Sequence, residues 1–308
     1  MRVIFMGTPD FSVGTLEAII EKGHEVVMVV TQPDKRQGRS SELRMSPVKE
    51  CAIKHNLPVY QPQKVREPEC VEFLRQLNPD VIVVVAFGQI LSKEILTMPP
   101  YGCINVHASL LPKYRGAAPI QWAVIDGEVE SGVTTMLMDE GIDTGDILMV
   151  SKYTLDKKET GGSLFDKLES LGAELLVDTL DGLLEGTITP APQGDDFTHV
   201  GKLTKEFGKI DFNKTAVEIE RLVRGLNPWP CAYTSYKGKN LKIWDSEVDY
   251  RDCSNFTPGT IYKVDKDYIY VSTKENGLIL TEVQLEGKKR MNTQAFLRGC
   301  QVEEGIVL

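Results

Sequence analysis

The chain has 308 residues, with 35 Lys or Arg against 44 Asp or Glu, so its formal net charge is -9. A length near 300 residues predicts about two domains. A content of 42% hydrophobic and 26% charged residues is typical of a globular protein and excludes a disordered or collagen-like chain. The acidic average argues against a nucleic-acid partner.

Neither a membrane span nor a secretion signal is expected. The longest strongly apolar run, 80–87, is far shorter than the roughly 18 residues that a spanning helix needs. The first ten residues reach a Gly-Thr-Pro-Asp turn after only four apolar positions, which is not a signal-peptide core. Six cysteines without a C-x-x-C pair predict neither a zinc site nor a disulfide framework. We therefore expect a reduced, cytoplasmic protein without a metal or a membrane partner.

The first half alternates strand-like and helix-like segments. The continuous Val/Ile run over 80–86 is typical of a strand that is buried on both faces. These patterns predict an α/β domain, a doubly wound, mostly parallel Rossmann-like sheet with helices on both sides. The predicted strands are 3–6, 25–31, 80–86, 102–107, 131–138 and 146–154, and the predicted helices are 12–22, a helix from Ser46-Pro47, 67–77 and 163–185.

The pattern changes after residue 189. The stretch 187–205 contains Pro190, Pro192 and Gly194 without periodicity and is interpreted as a linker. Beyond a helical stretch near 215–225, short alternating segments with turn signals between them predict a small antiparallel barrel. The predicted strands are 232–236, 241–248, 259–264, 268–273 and 278–285. We divide the chain into a first domain at 1–189, a linker at 190–206 and a second domain at 207–308.

The charge is unevenly distributed along these segments. Residues 1–189 have a net charge of -9, residues 190–206 of -1 and residues 207–308 of +1. Within the acidic first domain, 35–66 contains eight basic and only two acidic residues. The average charge therefore conceals a local basic segment.

Asn105 and His107 stand out because ligands bind at the carboxyl ends of parallel strands. The two residues are two positions apart at the end of the strand predicted at 102–107, so they project to the same face. An amide beside an imidazole can polarise a carbonyl group and move a proton. A single histidine is nevertheless more often structural, and the chain's other three histidines lie in polar stretches typical of a surface.

The motifs in three other loops disfavour several classes of enzyme and metal site. The loop 7–11 is not G-x-G-x-x-G, and no phosphate-binding G-x-x-x-x-G-K-[ST] occurs, which disfavours a nicotinamide enzyme and a nucleotide hydrolase. The loop 111–119, which includes Arg115, is by itself interpreted as a rigid connection with solvated charges. The loop 138–146 contains four carboxylates but lacks calcium-loop spacing, and by itself it is interpreted as an acidic turn.

Several motifs occur together: Gly7-Thr8-Pro9-Asp10-Phe11, Thr31-Gln32-Pro33-Asp34, Asn105-x-His107 with Ser109-Leu110-Leu111-Pro112, Arg115-Gly116-Ala117-Ala118-Pro119-Ile120-Gln121-Trp122, and Asp143-Thr144-Gly145-Asp146. In combination they resemble the 10-formyltetrahydrofolate-dependent formyltransferases. The loop 32–39, the segment 226–230 and Gly287-Lys288-Lys289 are similar to the branch of this family that formylates methionyl initiator tRNA. The resemblance spans the chain, and its motifs are specific only in combination.

The resemblance implies a catalytic triad of Asn105, His107 and Asp143. It also implies a folate-binding turn, 10-formyltetrahydrofolate as formyl donor, methionyl initiator tRNA as acceptor, a small OB-like second domain and a monomer without a metal. In the implied mechanism the α-amino group attacks the formyl carbon. The implied folate-binding turn consists of Ser109, Leu110, Leu111 and Pro112.

The loop 33–49, which includes the start of that basic segment, has two interpretations. It is a solvated crossover loop, or it resembles the family's insertion into the tRNA acceptor stem, in which Arg39 matches the key arginine. Trp229, between two prolines, is expected to be a packing anchor rather than a stacking platform. The implied tRNA contacts are Lys35, Arg36, Arg39, Lys288 and Lys289.

Two alternatives stay open. The first is a formyltransferase of the same family that acts on an amino sugar nucleotide, or a formyltetrahydrofolate hydrolase. It would retain the triad and the Leu-Leu-Pro turn but would lack the basic 33–49 loop. The second is a non-catalytic RNA-binding protein, which leaves Asn105, His107 and Asp143 unexplained.

Overall fold

The computed structural model describes residues 1–36 and 43–308, and these residues form two compact units. The first unit consists of Met1–Gly116, Glu130–Thr154 and Phe165–Val200. The second consists of Ala117–Val129, Leu155–Leu164 and Gly201–Leu308. Each unit is therefore assembled from separate stretches of the chain.

Strands and helices are numbered in chain order. The strands are β1 (Arg2–Gly7), β2 (Glu25–Val30), β3 (Lys35–Arg36), β4 (Leu43–Arg44), β5 (Val59–Tyr60), β6 (Val81–Val85), β7 (Cys103–His107), β8 (Arg115–Gly116), β9 (Glu130–Leu137), β10 (Asp146–Thr154), β11 (His199–Val200), β12 (Ala232–Tyr236), β13 (Lys239–Asp249), β14 (Ile261–Val264), β15 (Ile269–Ser272), β16 (Gly277–Leu285) and β17 (Met291–Asn292). The helices are α1 (Val13–Glu21), α2 (Pro47–Lys54), α3 (Pro68–Gln76), α4 (Lys93–Leu96), α5 (Pro119–Asp126), α6 (Gly161–Glu185), α7 (Ala216–Gly225) and α8 (Thr293–Gly299), with short 3₁₀ helices at Asp10–Ser12 and Glu206–Gly208.

The first unit is built on a seven-stranded sheet in the order β10-β9-β7-β6-β1-β2-β5. The five neighbouring strands β7, β6, β1, β2 and β5 pair in parallel, whereas β9 runs antiparallel to both β7 and β10. The prediction of a mostly parallel, Rossmann-like sheet is confirmed. The order reverses at β1, and in such sheets the carboxyl ends of the strands form the ligand-binding edge.

The core of this unit covers both faces of the sheet. Every residue of β6 is buried, as the continuous Val/Ile run predicted. Ile4 and Ile82 pack in one cluster with Leu74 of α3 and Ile95 of α4. Helix α2 begins as the sequence indicated, because the Ser46 hydroxyl accepts the Lys49 N–H at 3.1 Å and a proline occupies the first helical position.

The second unit has an antiparallel sheet in the order β12-β13-β16-β15-β14, with β17 also paired to β16. The antiparallel second domain is thus confirmed. Thr215 and Glu218 form a reciprocal capping box at the start of α7. Ile219 and Val223 of that helix are buried in one cluster with strand residues. Helix α8 was not predicted, because its seven residues are too few for a clear helical period.

Over residues 1–36 and 43–308, every helix is too short or too polar to cross a bilayer.

Candidate active site

Strand β7 holds Asn105 and His107 inside the first unit. The strand is paired on both sides, in parallel with β6 and antiparallel with β9, which fixes its register. Asn105 is 9% exposed and His107 is 6% exposed. Two buried polar side chains in alternate positions of a central strand need polar partners on the same face of the sheet.

Asp143 supplies those partners from the loop between β9 and β10. Its backbone is left-handed, with φ of 53°, a conformation that aspartate tolerates better than most residues. The Asn105 amide donates to Asp143 Oδ1 over 3.4 Å, and His107 Nδ1 lies 3.7 Å from Asp143 Oδ2. The structure therefore brings Asn105, His107 and Asp143 together.

The second ring nitrogen of His107 indicates which nitrogen carries a proton. His107 Nε2 lies 2.9 Å from the carbonyl oxygen of Tyr114. Because a carbonyl oxygen only accepts hydrogen bonds, Nε2 carries a hydrogen in this arrangement. Nδ1, which faces Asp143, is then the nitrogen that can take up or release a proton.

Strand β8 supports both His107 and Asp143. Tyr114, just before the strand, accepts from His107, while the Gly116 N–H donates to Asp143 Oδ2 at 2.8 Å. Arg115 lies between these two residues and is only 7% exposed, so its interpretation as a solvated charge was wrong. Gln193 explains its burial, because the Arg115 Nε and Nη2 both donate to the Gln193 side-chain oxygen at 3.0 and 2.8 Å.

The turn from Ser109 to Pro112 follows β7 directly. The Ser109 hydroxyl donates to the Lys113 carbonyl at 2.7 Å, and the Ser109 carbonyl accepts from the Thr134 hydroxyl at 2.7 Å. Ser109 and Leu111 are buried, whereas Leu110 and Pro112 are half-buried. The turn is therefore hydrogen-bonded at its base, and Leu110 and Pro112 are its more accessible members.

A cavity of about 800 Å³ lies beside the loop that carries Asp143. Its volume is in the range that small-molecule ligands occupy. Glu140 and Lys93 form an exposed ion pair at its rim with an N–O distance of 3.3 Å. Its lining includes Leu96, Tyr101, Leu137, Met138, Gly141 and Thr144.

Asp34 lies at the start of the basic stretch 33–49, next to Lys35 and Arg36. This carboxylate accepts from Lys49 Nζ at 2.6 Å and from the Gln61 amide at 2.7 Å. Lys35 and Arg36 form β3, in which Lys35 pairs with Arg44 of β4, and the Lys35 side chain is exposed. Arg39 lies outside the residues that the structure describes.

Asp34 gives a stability prediction with a definite pH dependence. The Lys49 ammonium and the Gln61 amide hold the pKa of Asp34 below its ordinary value of 3.8. Its stabilising contribution is therefore present above that ordinary pKa and is lost as the pH falls through the lowered one. We expect Asp34→Asn to lower the free energy of unfolding by about 0.5–1.5 kcal/mol at pH 7.

Urea unfolding at pH 7, 5 and 3.5 checks this expectation. The difference between wild type and Asp34→Asn should be similar at pH 7 and 5 and smaller at pH 3.5. A difference that grows on acidification would contradict the assigned sign. Asp195→Asn, at an exposed position in the same unit, is the matched control.

In the second unit, Lys288 and Lys289 are exposed in the turn between β16 and β17. Trp229 is 55% exposed, so its prediction as a packing anchor was wrong. Asn227 anchors that segment instead, because its carbonyl accepts from Gly162 N–H at 2.8 Å and its amide donates to the Trp244 carbonyl at 3.0 Å.

Glu17, Cys51 and His55 are a group of potential metal ligands, with ligand atoms within 4.8 Å of one another. His55 is half-buried, contrary to its expected surface position. The Lys54 ammonium already pairs with Glu17 at 3.2 Å, and burial raises the pKa of the Cys51 thiol. A cation would have to displace both that ammonium and the thiol proton, so this group supports no metal proposal.

Comparison with known proteins identifies the family of the chain. The family model described as formyl transferase matches residues 1–180, and the model of the formyl transferase C-terminal domain matches residues 202–301. The chain belongs to the formyl transferase family, whose members are transferase enzymes. Among its relatives, the methionyl-tRNA formyltransferase of Agathobacter rectalis is 61% identical over 99% of this chain and 98% of its own. That of Clostridioides difficile is 52% identical over the full length of both chains.

Solved structures show the same fold at much lower identity. The N-formyltransferase from Helicobacter canadensis in complex with folinic acid and dTDP-3-aminofucose has a TM-score of 0.66 and 21% identity, over 91% of this chain and 98% of that one. At that identity the likeness shows the fold alone.

Proposed function

We propose that this protein transfers the formyl group of 10-formyltetrahydrofolate to the α-amino group of methionyl initiator tRNA. The observation that carries the proposal is that Asp143 lies 3.4 Å from the Asn105 amide and 3.7 Å from His107 Nδ1, where Asn105 and His107 share one face of β7. Support also comes from relatives named methionyl-tRNA formyltransferase, which are similar to this chain over almost its full length.

The reaction places three demands on the site. An α-amino group has a pKa of about 7.7–8, so it must lose a proton to act as a nucleophile. Its attack on the formyl carbon forms a C–N bond and a tetrahedral oxyanion, which needs donors aimed at it. The bond from that carbon to N10 of the folate then breaks, and N10 must receive a proton.

The three side chains are suited to these demands. The Asn105 amide and a protonated His107 Nδ1 donate to the oxyanion, and His107 then delivers its proton to the departing N10. Asp143, directly or through water, accepts the proton that the amine loses. The hydrogen bond from Nε2 to the Tyr114 carbonyl orients the imidazole. At 3.7 Å from Asp143 Oδ2, Nδ1 makes no short hydrogen bond that would occupy it.

The donor and acceptor are assigned to separate parts of the chain. The proposed catalytic domain is 1–189, with folate contacts at Ser109, Leu110, Leu111 and Pro112, followed by a linker at 190–206. The proposed tRNA-binding domain is the OB-like 207–308. The proposed tRNA contacts are Lys35, Arg36, Arg39, Lys288 and Lys289. Because such contacts bind phosphate groups, the affinity for tRNA should fall as the salt concentration rises. We propose that the reaction takes place in the cytoplasm.

An acceptor assay tests the function. The protein is incubated with 10-formyltetrahydrofolate and, in separate reactions, methionyl initiator tRNA, an amino sugar nucleotide or water alone, and release of tetrahydrofolate is measured. We expect release only with the charged tRNA. Release with the sugar nucleotide would favour the sugar formyltransferase alternative, and release in water alone would favour a hydrolase. No release with any acceptor would overturn a catalytic assignment.

A further inference from the structure

The stretch 190–200, which the sequence marked as linker, packs against the loop that carries Asp143. Ala191 forms an antiparallel bridge with Ile147 at the start of β10. The Gln193 amide nitrogen donates to the carbonyl oxygens of Asp143 and Gly145, at 3.0 and 2.7 Å. Gln193 therefore binds the backbone on both sides of Thr144.

The other end of the same amide binds β8. The Gln193 side-chain oxygen accepts from two nitrogens of Arg115, at 3.0 and 2.8 Å. A primary amide offers two donor hydrogens on nitrogen and two acceptor sites on oxygen, and here all four are used. Glutamate has the same shape but cannot donate to the two carbonyls when it is ionised.

Arg115 is held in place for this contact. Its guanidinium carbon lies 4.6 Å from the centre of the Phe197 ring, a cation–π distance. The backbone N–H of Arg115 donates to the Thr198 carbonyl at 2.9 Å, and the backbone N–H of the preceding Tyr114 donates to the Thr198 hydroxyl at 2.8 Å. Residues from the predicted linker thus fix both the side chain and the backbone of β8.

The residues that flank Arg115 are the ones that hold the imidazole and the carboxylate. The Tyr114 carbonyl accepts from His107 Nε2, and the Gly116 N–H donates to Asp143 Oδ2. Through Arg115 on one side and the Asp143 and Gly145 carbonyls on the other, Gln193 joins the two backbone segments that set the separation of His107 and Asp143.

We propose that Gln193 is a positioning residue for formyl transfer, which sets the geometry of Asp143 relative to His107 through Arg115. The inference rests on the proposed function. A displacement of about 1 Å in a reacting constellation can cost about 10²-fold in rate. Gln193→Ala should therefore lower kcat about 10–100-fold while leaving KM for 10-formyltetrahydrofolate and for methionyl initiator tRNA within about threefold.

The test measures single-turnover formyl transfer at saturating concentrations of both substrates, together with both KM values and circular dichroism. Gln193→Glu is the second variant, because it keeps the size and the contact with Arg115 but directs a carboxylate at two carbonyl oxygens. It should lose at least as much kcat as Gln193→Ala. The matched control is Gln76→Ala, at an exposed glutamine on α3 whose amide donates to Glu72, and it should leave kcat unchanged.

The outcomes separate the two claims. An active wild type whose two Gln193 variants are folded and retain wild-type kcat overturns the positioning role and leaves the proposed function intact. Loss that appears in KM, or in proportion to unfolded protein, also overturns it. A wild type that forms no formyl-methionyl-tRNA overturns the proposed function, and the positioning role with it. A folded Gln193→Glu protein with low kcat and unchanged KM values supports the role.

Discussion

His107→Ala should lower the single-turnover rate of formyl transfer by about 10²–10⁴-fold, the range that general acid–base catalysis contributes. Among Asn105, His107 and Asp143, the imidazole is the side chain that can both donate to the oxyanion and deliver a proton to the leaving group. Its Nδ1 faces Asp143 across 3.7 Å, and its Nε2 is engaged by Tyr114. Rapid quench of a pre-mixed donor and charged tRNA measures the rate, and fluorescence titration measures the donor affinity, which should change little.

Two comparisons sharpen this experiment. Asn105→Ala removes one oxyanion donor and should cost about 10²–10³-fold in rate. His55→Ala, which removes a half-buried imidazole at the end of α2, is the matched control and should leave the rate unchanged. A near-normal rate for His107→Ala would remove the mechanism proposed for this site.

Gly145→Ala is expected to have the next largest effect, through the backbone of the same loop. A Cβ at this position would lie 1.8 Å from the Leu137 carbonyl oxygen, closer than any contact that real Cβ atoms make. Backbone must therefore move, and the Gly145 carbonyl that accepts from Gln193 moves with it. We expect about 1–3 kcal/mol lower stability and a rate loss of about 10²-fold from the displaced Asp143.

Gly194→Ala is the control for this substitution. A Cβ there has no described atom within 4 Å, and it lies on the neighbouring stretch of chain, so stability and rate should stay close to wild type. Urea unfolding and the single-turnover assay are measured on both variants. Equal rates for Gly145→Ala and wild type would show that the close packing of Gly145 against the Leu137 carbonyl does not set the position of Asp143.

Local patterns predicted most of the strands and helices because the period of the side chains and the end signals of an element depend on neighbouring residues. The all-Val/Ile run of β6 favoured a strand buried on both faces, and Ser46-Pro47 favoured a helix start, and both are observed. The alternation of side chains along a strand placed Asn105 and His107 on one face. For the same reason the antiparallel second unit followed from its short alternating segments.

The errors concern residues whose environment is set by distant parts of the chain. Arg115 was interpreted as a solvated charge. However, Gln193 and Phe197, about 80 positions later, contact its guanidinium and offset the free-energy cost of burying it. Trp229 looked like a packing anchor, but Asn227 makes the contacts that hold its segment. Neither outcome has a periodic signal in the neighbouring residues.

The sequence by itself determined the elements, the class of sheet and the pair of residues on β7. It also contains the motifs that resemble those of the formyltransferases. Only the tertiary structure decided that Asp143 reaches that pair and that β8 supports both His107 and Asp143. It also decided that the stretch predicted as a linker contacts the loop of Asp143 through Gln193. The physical reason is that strands and helices satisfy their backbone groups in regular patterns, whereas a buried polar cluster is satisfied by whichever groups the fold brings within hydrogen-bond distance.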